Sequence, residues 1–475
     1  MVNCRNKTVK KILIRNTQVH SEFFLCRLCS KSKRDHSMSH RTEIAGTSTE
    51  QMKRNDHVSL DIDKLTASVQ EELKTLHAFS NKCSIYRVPK RLRDSKEYAY
   101  TPQLVSIGPI HHGKEELKEM EEHKKIYLQE FLKLSEVSVK ECIAAIAQRE
   151  TRLRNCYADN FENISTEDFV KMMLLDSSFI IMVFLIRFDS FIPSNYDRIF
   201  GKPWMIRGID FDMCLLENQI PFFILDDMLK LSKRQGGCSM IELTRDFLSS
   251  TFGDSWVPKD ILKQIKSSEV EHFVDFLRKC QQPAKQKQSK PLETLTAPSA
   301  MELHHSGIKF KLGSRDKIFE MNFDFHKGVL EIPPLFLEDE TERLFRNLHA
   351  FEQCHCRDVY VSDYIATINF LVRGTNDAEI LAKKGIIDNW LSNNDAVMSV
   401  LHDLDRGNFV NSKQFYFADV VEDLNKYCRK RTHKWIAALK HNYFHNPWVS
   451  ISVVAAGALL ILTVIQTVCS VIQVK

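Results

Sequence analysis

From Trp448 to Val474 the chain runs WVSISVVAAGALLILTVIQTVCSVIQV, with no formal charge before Lys475. A helix rises about 1.5 Å per residue and a bilayer's hydrocarbon core is about 30 Å thick, so roughly 20 such residues span it. This run is longer than that. The sequence therefore predicts one C-terminal transmembrane helix, 446–475, with the rest of the chain a body tethered to it. A second apolar run, Phe169 to Ile186, is shorter and carries Asp176 at its centre. A mid-span Asp costs about 2.5–3.5 kcal/mol in lipid, so this run is expected as a buried core helix, with Asp176 paired.

The net charge is +5 over 475 residues. That is far from the basic stripe of a nucleic-acid binder, and no nucleic-acid partner is expected. The 13 cysteines are odd in number and irregularly spaced, which suits reduced thiols in a cytosol-facing body. No secretory signal is expected, because Ile12–Ile14 and Phe23–Leu25 are short and interrupted by Arg15, His20 and Glu22. Residues 1–57 read as a disordered arm or as an over-long reading frame whose start is Met38 or Met52. The sequons at Asn6 and Asn163 matter only if the body faces a secretory lumen.

Periodicity places helices along most of the body. A stripe of Leu65, Val69, Leu73 and Leu76 predicts the first. From Cys83 to Gly113 three prolines, Pro89, Pro102 and Pro109, predict an extended segment wrapped on the body. Helix resumes at Glu115, with Leu117, Met120, Tyr127, Phe131 and Leu134 inward. Ser165 and Asp168 form a capping-box start for the apolar helix. Pro221 opens another helix with Phe222, Leu225 and Leu229 on one face, and Ser268–Cys280 is a further one. The stretch 281–298 lacks apolar periodicity and contains three prolines, so it is read as a flexible linker between an N-terminal lobe, 58–280, and a C-terminal lobe, 299–445. In the second lobe Gly307–Phe310, Ile318–Phe323 and Val329–Ile332 predict a small antiparallel sheet with a turn at Asp324–Gly328. Helices follow at Glu340–Cys354, Val361–Val372, Asp377–Lys384, Asp395–Leu404 and Asp423–His441. The fold class is thus mainly α with one small antiparallel sheet in the C-terminal half.

Several blocks stand in a recognisable order: IYRVP at Ile85–Pro89, YTPQLVSIGPIHHG at Tyr100–Gly113, MEEHK at Met120–Lys124, LLENQIPFF at Leu215–Phe223, ELHHSGIKF at Glu302–Phe310 and FRNLHAFEQC at Phe345–Cys354. With the Pro-Trp before the tail, they make the chain resemble the plant family known as domain of unknown function 247, or uncharacterised protein family 0481. The family pattern has an aromatic where Ile110 stands and Gly-Cys where Ser177-Ser178 stand. The resemblance implies a helical body with one C-terminal membrane helix and brings no accepted enzymatic activity. Some grass members are linked to pollen-side self-incompatibility, which implies recognition rather than catalysis.

Candidate chemistry is sparse. His111, His112, Glu116, Glu119 and His123 have metal-ligand chemistry, but Gly108, Pro109 and Gly113 interrupt the helix they would need, and no metal or other cofactor is expected. Cys26/Cys29 and Cys354/Cys356 lack a second ligand pair, and Asp403–Gly407 lacks the terminal Glu of a calcium loop. Glu217 and Glu352 lie in apolar surroundings beside Asn218, Gln219 and Gln353. They read either as a buried network with Arg346 and Asn347, or as an acid–base pair of the kind glycosidases use.

Along the tail, Ser452, Ala456, Thr463, Gln466, Thr467 and Ser470 share one helical side. They are candidates for self-association or for pairing with another membrane helix; the hydroxyls could equally serve their own backbone. Arg429, Lys430, Arg431, Lys434 and Lys440 flank the span, so the body is expected in the cytosol, at the plasma membrane or the endoplasmic reticulum. The functional expectation is a tail-anchored interaction protein whose partners are the bilayer and another protein. The alternatives are a membrane-tethered hydrolase using a carboxylate pair, and a soluble protein whose tail is a core helix.

Overall fold

The computed structural model describes residues 61–75, 83–189, 199–232, 238–283, 291–294, 296–391, 393–430 and 447–473. The expected arm, the heart of the 281–298 stretch and residues 431–446 fall outside them. The chain divides into two units, Met1–Leu76 and His77–Lys475. In the first, helix α1 (Ile62–Thr75) carries the predicted stripe, and its Leu65, Val69 and Leu73 are exposed.

The second unit is built around α4 (Thr166–Asp189). The Ser165 Oγ accepts from the Asp168 N–H at 3.1 Å and starts this helix as its capping pattern predicts. Nearly every residue from Phe169 to Ile186 is buried. Such an all-round apolar helix needs cover on every side. It is covered by α2 (Lys118–Ser135), α3 (Val139–Ala147), α6 (Phe222–Leu231) and α7 (Met240–Phe252). Ser177 and Ser178 turn their hydroxyls back to the Met173 and Leu174 carbonyls, which satisfies them inside the helix. On α2, Met120, Tyr127 and Phe131 face inward as predicted, but Leu134 is exposed and Lys124 is fully buried.

Between α4 and α7 the chain forms α5 (Pro203–Asp212), then a coil carrying Leu215–Ile220, then α6. Helix α8 (Phe273–Cys280) is shorter than expected, because 267–269 form a separate 3₁₀ turn and the His272 ring caps the α-helix proper. Helix α9 (Ala300–His305) has a full capping box at Ser299 and Glu302.

Strands β1 (Lys309–Leu312), β2 (Asn322–Asp324) and β3 (Val329–Ile332) form one sheet in the order β1-β3-β2. The expected antiparallel sheet is in fact mixed: β2 and β3 are antiparallel, while β1 runs parallel to β3. Alternation reports which face a side chain takes and says nothing of strand direction. The β2–β3 link is a short turn in which Asp324 Oδ1 accepts from His326 N and Lys327 N, and so tight a link forces antiparallel pairing. Everything from Gly313 to Gly328, β2 included, then serves as the long crossover that a parallel β1–β3 pair requires.

Strand β4 (Leu335–Leu337) leads into α10 (Asp339–His355), followed by α11 (Tyr360–Leu371) and α12 (Thr375–Lys383). Strand β5 (Ile387–Asn389) pairs parallel with β4, and α13 (Asn394–Asp405) and α14 (Ala418–Arg429) complete the body. Packing crosses the chain position of the expected linker. Leu292 and Ala297 are buried, and one hydrophobic cluster holds residues from both sides of it. Helix α15 (Pro447–Gln473) is a single helix whose described side chains are almost all exposed.

Candidate functional site

The predicted polar residues other than Glu352 sit where the segment 84–113 is fastened to the body. This segment makes only one short turn (Lys90–Arg93), one 3₁₀ turn (Glu97–Tyr100) and an isolated bridge between Ile85 and Tyr157. Its buried backbone groups need partners from elsewhere. The last residue of α5 and the coil after it, 212–219, supply many of them. Asp212 accepts from the N–H groups of Gln103, Leu104 and Val105 at 2.7–3.1 Å. Asn218 accepts from Ile107 N at 2.7 Å and donates to the Val105 and Asp212 carbonyls, both at 2.9 Å. Gln219 donates to the Met213 and Leu215 carbonyls and accepts from Phe273 N at 3.0 Å, which ties the coil to α8.

Glu217 closes the arrangement. It accepts from Val88 N at 2.7 Å, pairs with Arg93, and lies 3.0 Å from His111 Nε2. Burial pushes its carboxyl upward, and His111, Arg93 and the Val88 N–H outweigh that and hold it below the usual range. Burial likewise drives the His111 imidazole below its ordinary pKa, against the pull of Glu217. The Pro-Ile-His-His run is thus a clasp. Among the described residues no three His, Cys, Asp or Glu side chains gather as a metal shell.

Asp176 has found a cation. Lys124 Nζ lies 2.6 Å from Asp176 Oδ1, 2.6 Å from Glu121 and 2.5 Å from the Ser106 carbonyl, while Asp176 Oδ2 accepts from Gly108 N at 2.7 Å. Burial keeps the Asp176 carboxyl above its normal range even so. The central helix, α2 and the wrapped segment meet at this one ion pair.

Helix α10 holds the other end of the segment. Asn347 accepts from Leu216 N at 2.9 Å and donates to the Ala99 carbonyl at 2.9 Å. Arg346 donates to Glu342 at 2.8 Å and to Ser95 Oγ at 3.1 Å, and Glu342 also holds Lys96. Glu352 is served by a separate set: Arg278 Nε at 2.9 Å, Val361 N at 3.1 Å, and Ser362 through N at 2.8 Å and Oγ at 2.9 Å. Among the described residues Glu217 and Glu352 therefore share no direct partner, and neither is bonded to Arg346 or Asn347. Sequence reasoning missed Lys124, Arg93, Asp212, Glu342 and Arg278. Lys124 was findable, since it stands between Met120 and Tyr127 on the inward face of its helix.

Residues 85–462 match the model of DUF247, described as a plant protein of unknown function. The chain belongs to this family. Two Arabidopsis thaliana relatives are similar over most of their length. The UPF0481 protein At3g47200 is 28% identical over 415 residues, 81% of this chain and 85% of the relative. The putative UPF0481 protein At3g02645 is 25% identical over 480 residues, 81% of this chain and 89% of the relative. No solved structure matches at a significant level.

In this DUF247 chain the motif residues His111, Lys124, Glu217, Asn218, Gln219, Asn347 and Glu352 are buried. An open groove of ≈ 860 Å³ lies between the approach to α9 and helices α11, α13 and α14, with Arg373, His402, Asn369 and Asn425 among its walls. A smaller aromatic cavity of ≈ 280 Å³ lies between Trp256, Phe336 and Trp390. On α15, Ser452, Ala456, Gln466 and Ser470 are exposed along one side, while Thr463 and Thr467 donate to the Leu459 and Thr463 carbonyls, each at 2.7 Å.

Proposed function

We propose that this protein is a membrane-anchored interaction protein: α15 crosses a bilayer, the body lies on the cytosolic side, and its work is recognition. One observation carries the reading. The chain has two long apolar helices with opposite fates. Helix α4 is enclosed by protein, whereas α15 leaves Ile451, Leu459, Leu460, Ile461, Leu462, Val464, Ile465 and Val468 between 51% and 68% exposed. Covering these eight side chains is worth roughly 20 kcal/mol in total at about 25 cal/mol per Å². A bilayer supplies that cover over the whole circumference. Lysines and arginines cluster before the helix, and no Asp or Glu follows Asp423, which favours a cytosolic body.

Recognition over carboxylate-pair hydrolysis is supported by the separate partner sets of Glu217 and Glu352. Within the membrane, the Thr463 and Thr467 hydroxyls are engaged with their own helix, so cross-helix hydrogen bonding falls to Gln466. The test is alkaline carbonate extraction of membranes holding the full chain. The native chain stays in the membrane pellet, and Leu460→Arg/Ile461→Arg shifts to the supernatant. Recovery of the native chain in the supernatant overturns the reading. An in-membrane association assay then separates native tail from Gln466→Leu, and equal signals remove the pairing role of Gln466.

A further inference from the structure

The β2–β3 hairpin meets the last turn of α14 just before the chain leaves for α15. Phe323 and Phe325 pack edge-on against Tyr427, with ring centroids 5.7 and 5.6 Å away. The fit is close enough that Gly328 has no room for a side chain against the Tyr427 hydroxyl. Lys430 Nζ then lies 4.4 Å from the centre of the Phe325 ring. Around this joint His326, Lys327, Lys426, Arg429 and Lys430 are exposed. Three carboxylates share the area, and one of them, Glu331 on β3, pairs with Lys311 at 2.6 Å and also acts on Lys327. Asp324 pairs with Lys327 at 2.8 Å and Asp423 with Lys426 at 3.7 Å. Arg429 and Lys430 have no acidic partner among the described residues, so the patch keeps a positive excess on an aromatic base.

We infer that this hairpin–helix joint is a docking surface for anionic lipid headgroups of the bilayer that α15 enters. The inference rests on the anchored reading above and names the chemistry of the leaflet that the body faces. Lys430 and Pro447 are separated by 16 residues, which reach at most about 60 Å when fully extended, so the joint is tethered within that distance of the start of α15. Those 16 residues contain no acid and add Arg431, Lys434 and Lys440. Lysine and arginine beside aromatic rings is the composition that an anionic interface selects. Basic residues at a helix C-terminus also answer the helix dipole. That role requires nothing of Phe325, which the hairpin brings from about a hundred residues earlier.

The experiment reconstitutes the full chain into phosphatidylcholine vesicles with and without 30% phosphatidylserine. Flotation first reports whether the chain is vesicle-bound, and amide hydrogen exchange then reads residues 322–332 and 424–430. The expected result is that native chain floats with both vesicle types, and that exchange in these two segments slows roughly tenfold with phosphatidylserine only. The slowing is lost in 0.5 M salt and in Arg429→Gln/Lys430→Gln, which still floats. Native chain that floats but exchanges equally in both vesicle types overturns the headgroup surface and leaves the anchor standing. Slowing that persists in the double variant overturns the assignment to these residues. A native chain that fails to float overturns the anchor and this inference with it.

Discussion

Replacing Lys124 by Met isolates the buried pair at the centre of the body. The substitution keeps the length of the stem and removes the ammonium that touches Asp176, Glu121 and the Ser106 carbonyl. Glu121 reaches solvent and loses little. Asp176 is 1% exposed and is left with one donor, the Gly108 N–H. An orphaned buried charge costs about 3–5 kcal/mol. Asp176→Asn is the control. It keeps an acceptor for Gly108 and leaves Lys124 with two partners, so about 1–2 kcal/mol is expected. The sign with pH follows from the carboxyl. Its folded pKa is raised by burial already and rises further without Lys124, while the unfolded value stays near 4. Between those two values the folded state holds a proton that the unfolded state releases, so stability falls as pH rises, by up to about 1.4 kcal/mol per unit. Urea unfolding of the full chain in detergent, followed by tryptophan fluorescence at pH 5 and pH 8, reads both quantities. The Lys124→Met deficit should exceed that of Asp176→Asn and should be larger at pH 8. If Lys124→Met costs no more than the control, or the same at both pH values, the pairing account is wrong.

Gly108→Ala should lower the unfolding free energy by about 3 kcal/mol in urea titrations, because φ is +72° and the new Cβ would stand 2.5 Å from the Gln219 carbonyl oxygen. Gly113→Ala, also at positive φ but in open space, should cost only about 1 kcal/mol, and equal losses would refute the close-approach argument. Asp363 is pushed up to about 7 by burial, with Glu352 adding to it and the Tyr416 N–H opposing. Its raised folded pKa means that stability is lost as pH climbs from about 4 towards 7. Asp363→Asn, which still accepts from Tyr416 N, should therefore gain on the native chain in melting temperature between pH 5 and pH 8; an unchanging difference would exclude it.

What could be read in advance divides along physical lines. Helix starts and the hairpin turn were legible because their signals are local: Ser165 with Asp168, Pro221 before its helix, Asp324 at its turn. The need for a partner at Asp176 was legible too, since a buried carboxylate demands one, and helical phase points to Lys124. The partners of Asp212 and Asn218 were not legible, because they are backbone groups of a segment about a hundred residues away. Glu352 looked paired, but nothing in chain order names Arg278. Strand direction in the small sheet was hidden for the same reason.

The fastening of the segment 84–113 has a consequence for the order in which the chain can fold. Ala99 waits for Asn347, Lys96 for Glu342, and Tyr86 for His355, whose Nδ1 lies 3.0 Å from its hydroxyl. Ribosomes add about 5–20 residues per second, so roughly 12–50 s pass between the emergence of Ala99 and that of Asn347. During that interval the prolines and apolar side chains of the early segment have only part of their seat, and loops of about 250 residues must close before it is complete. A nascent chain stopped at residue 280 leaves the Leu216 amide and the Ala99 carbonyl without their Asn347 partner. Such a chain is a natural client for chaperones that hold unfinished proteins, and the body becomes protease-resistant only after α10 has left the exit tunnel.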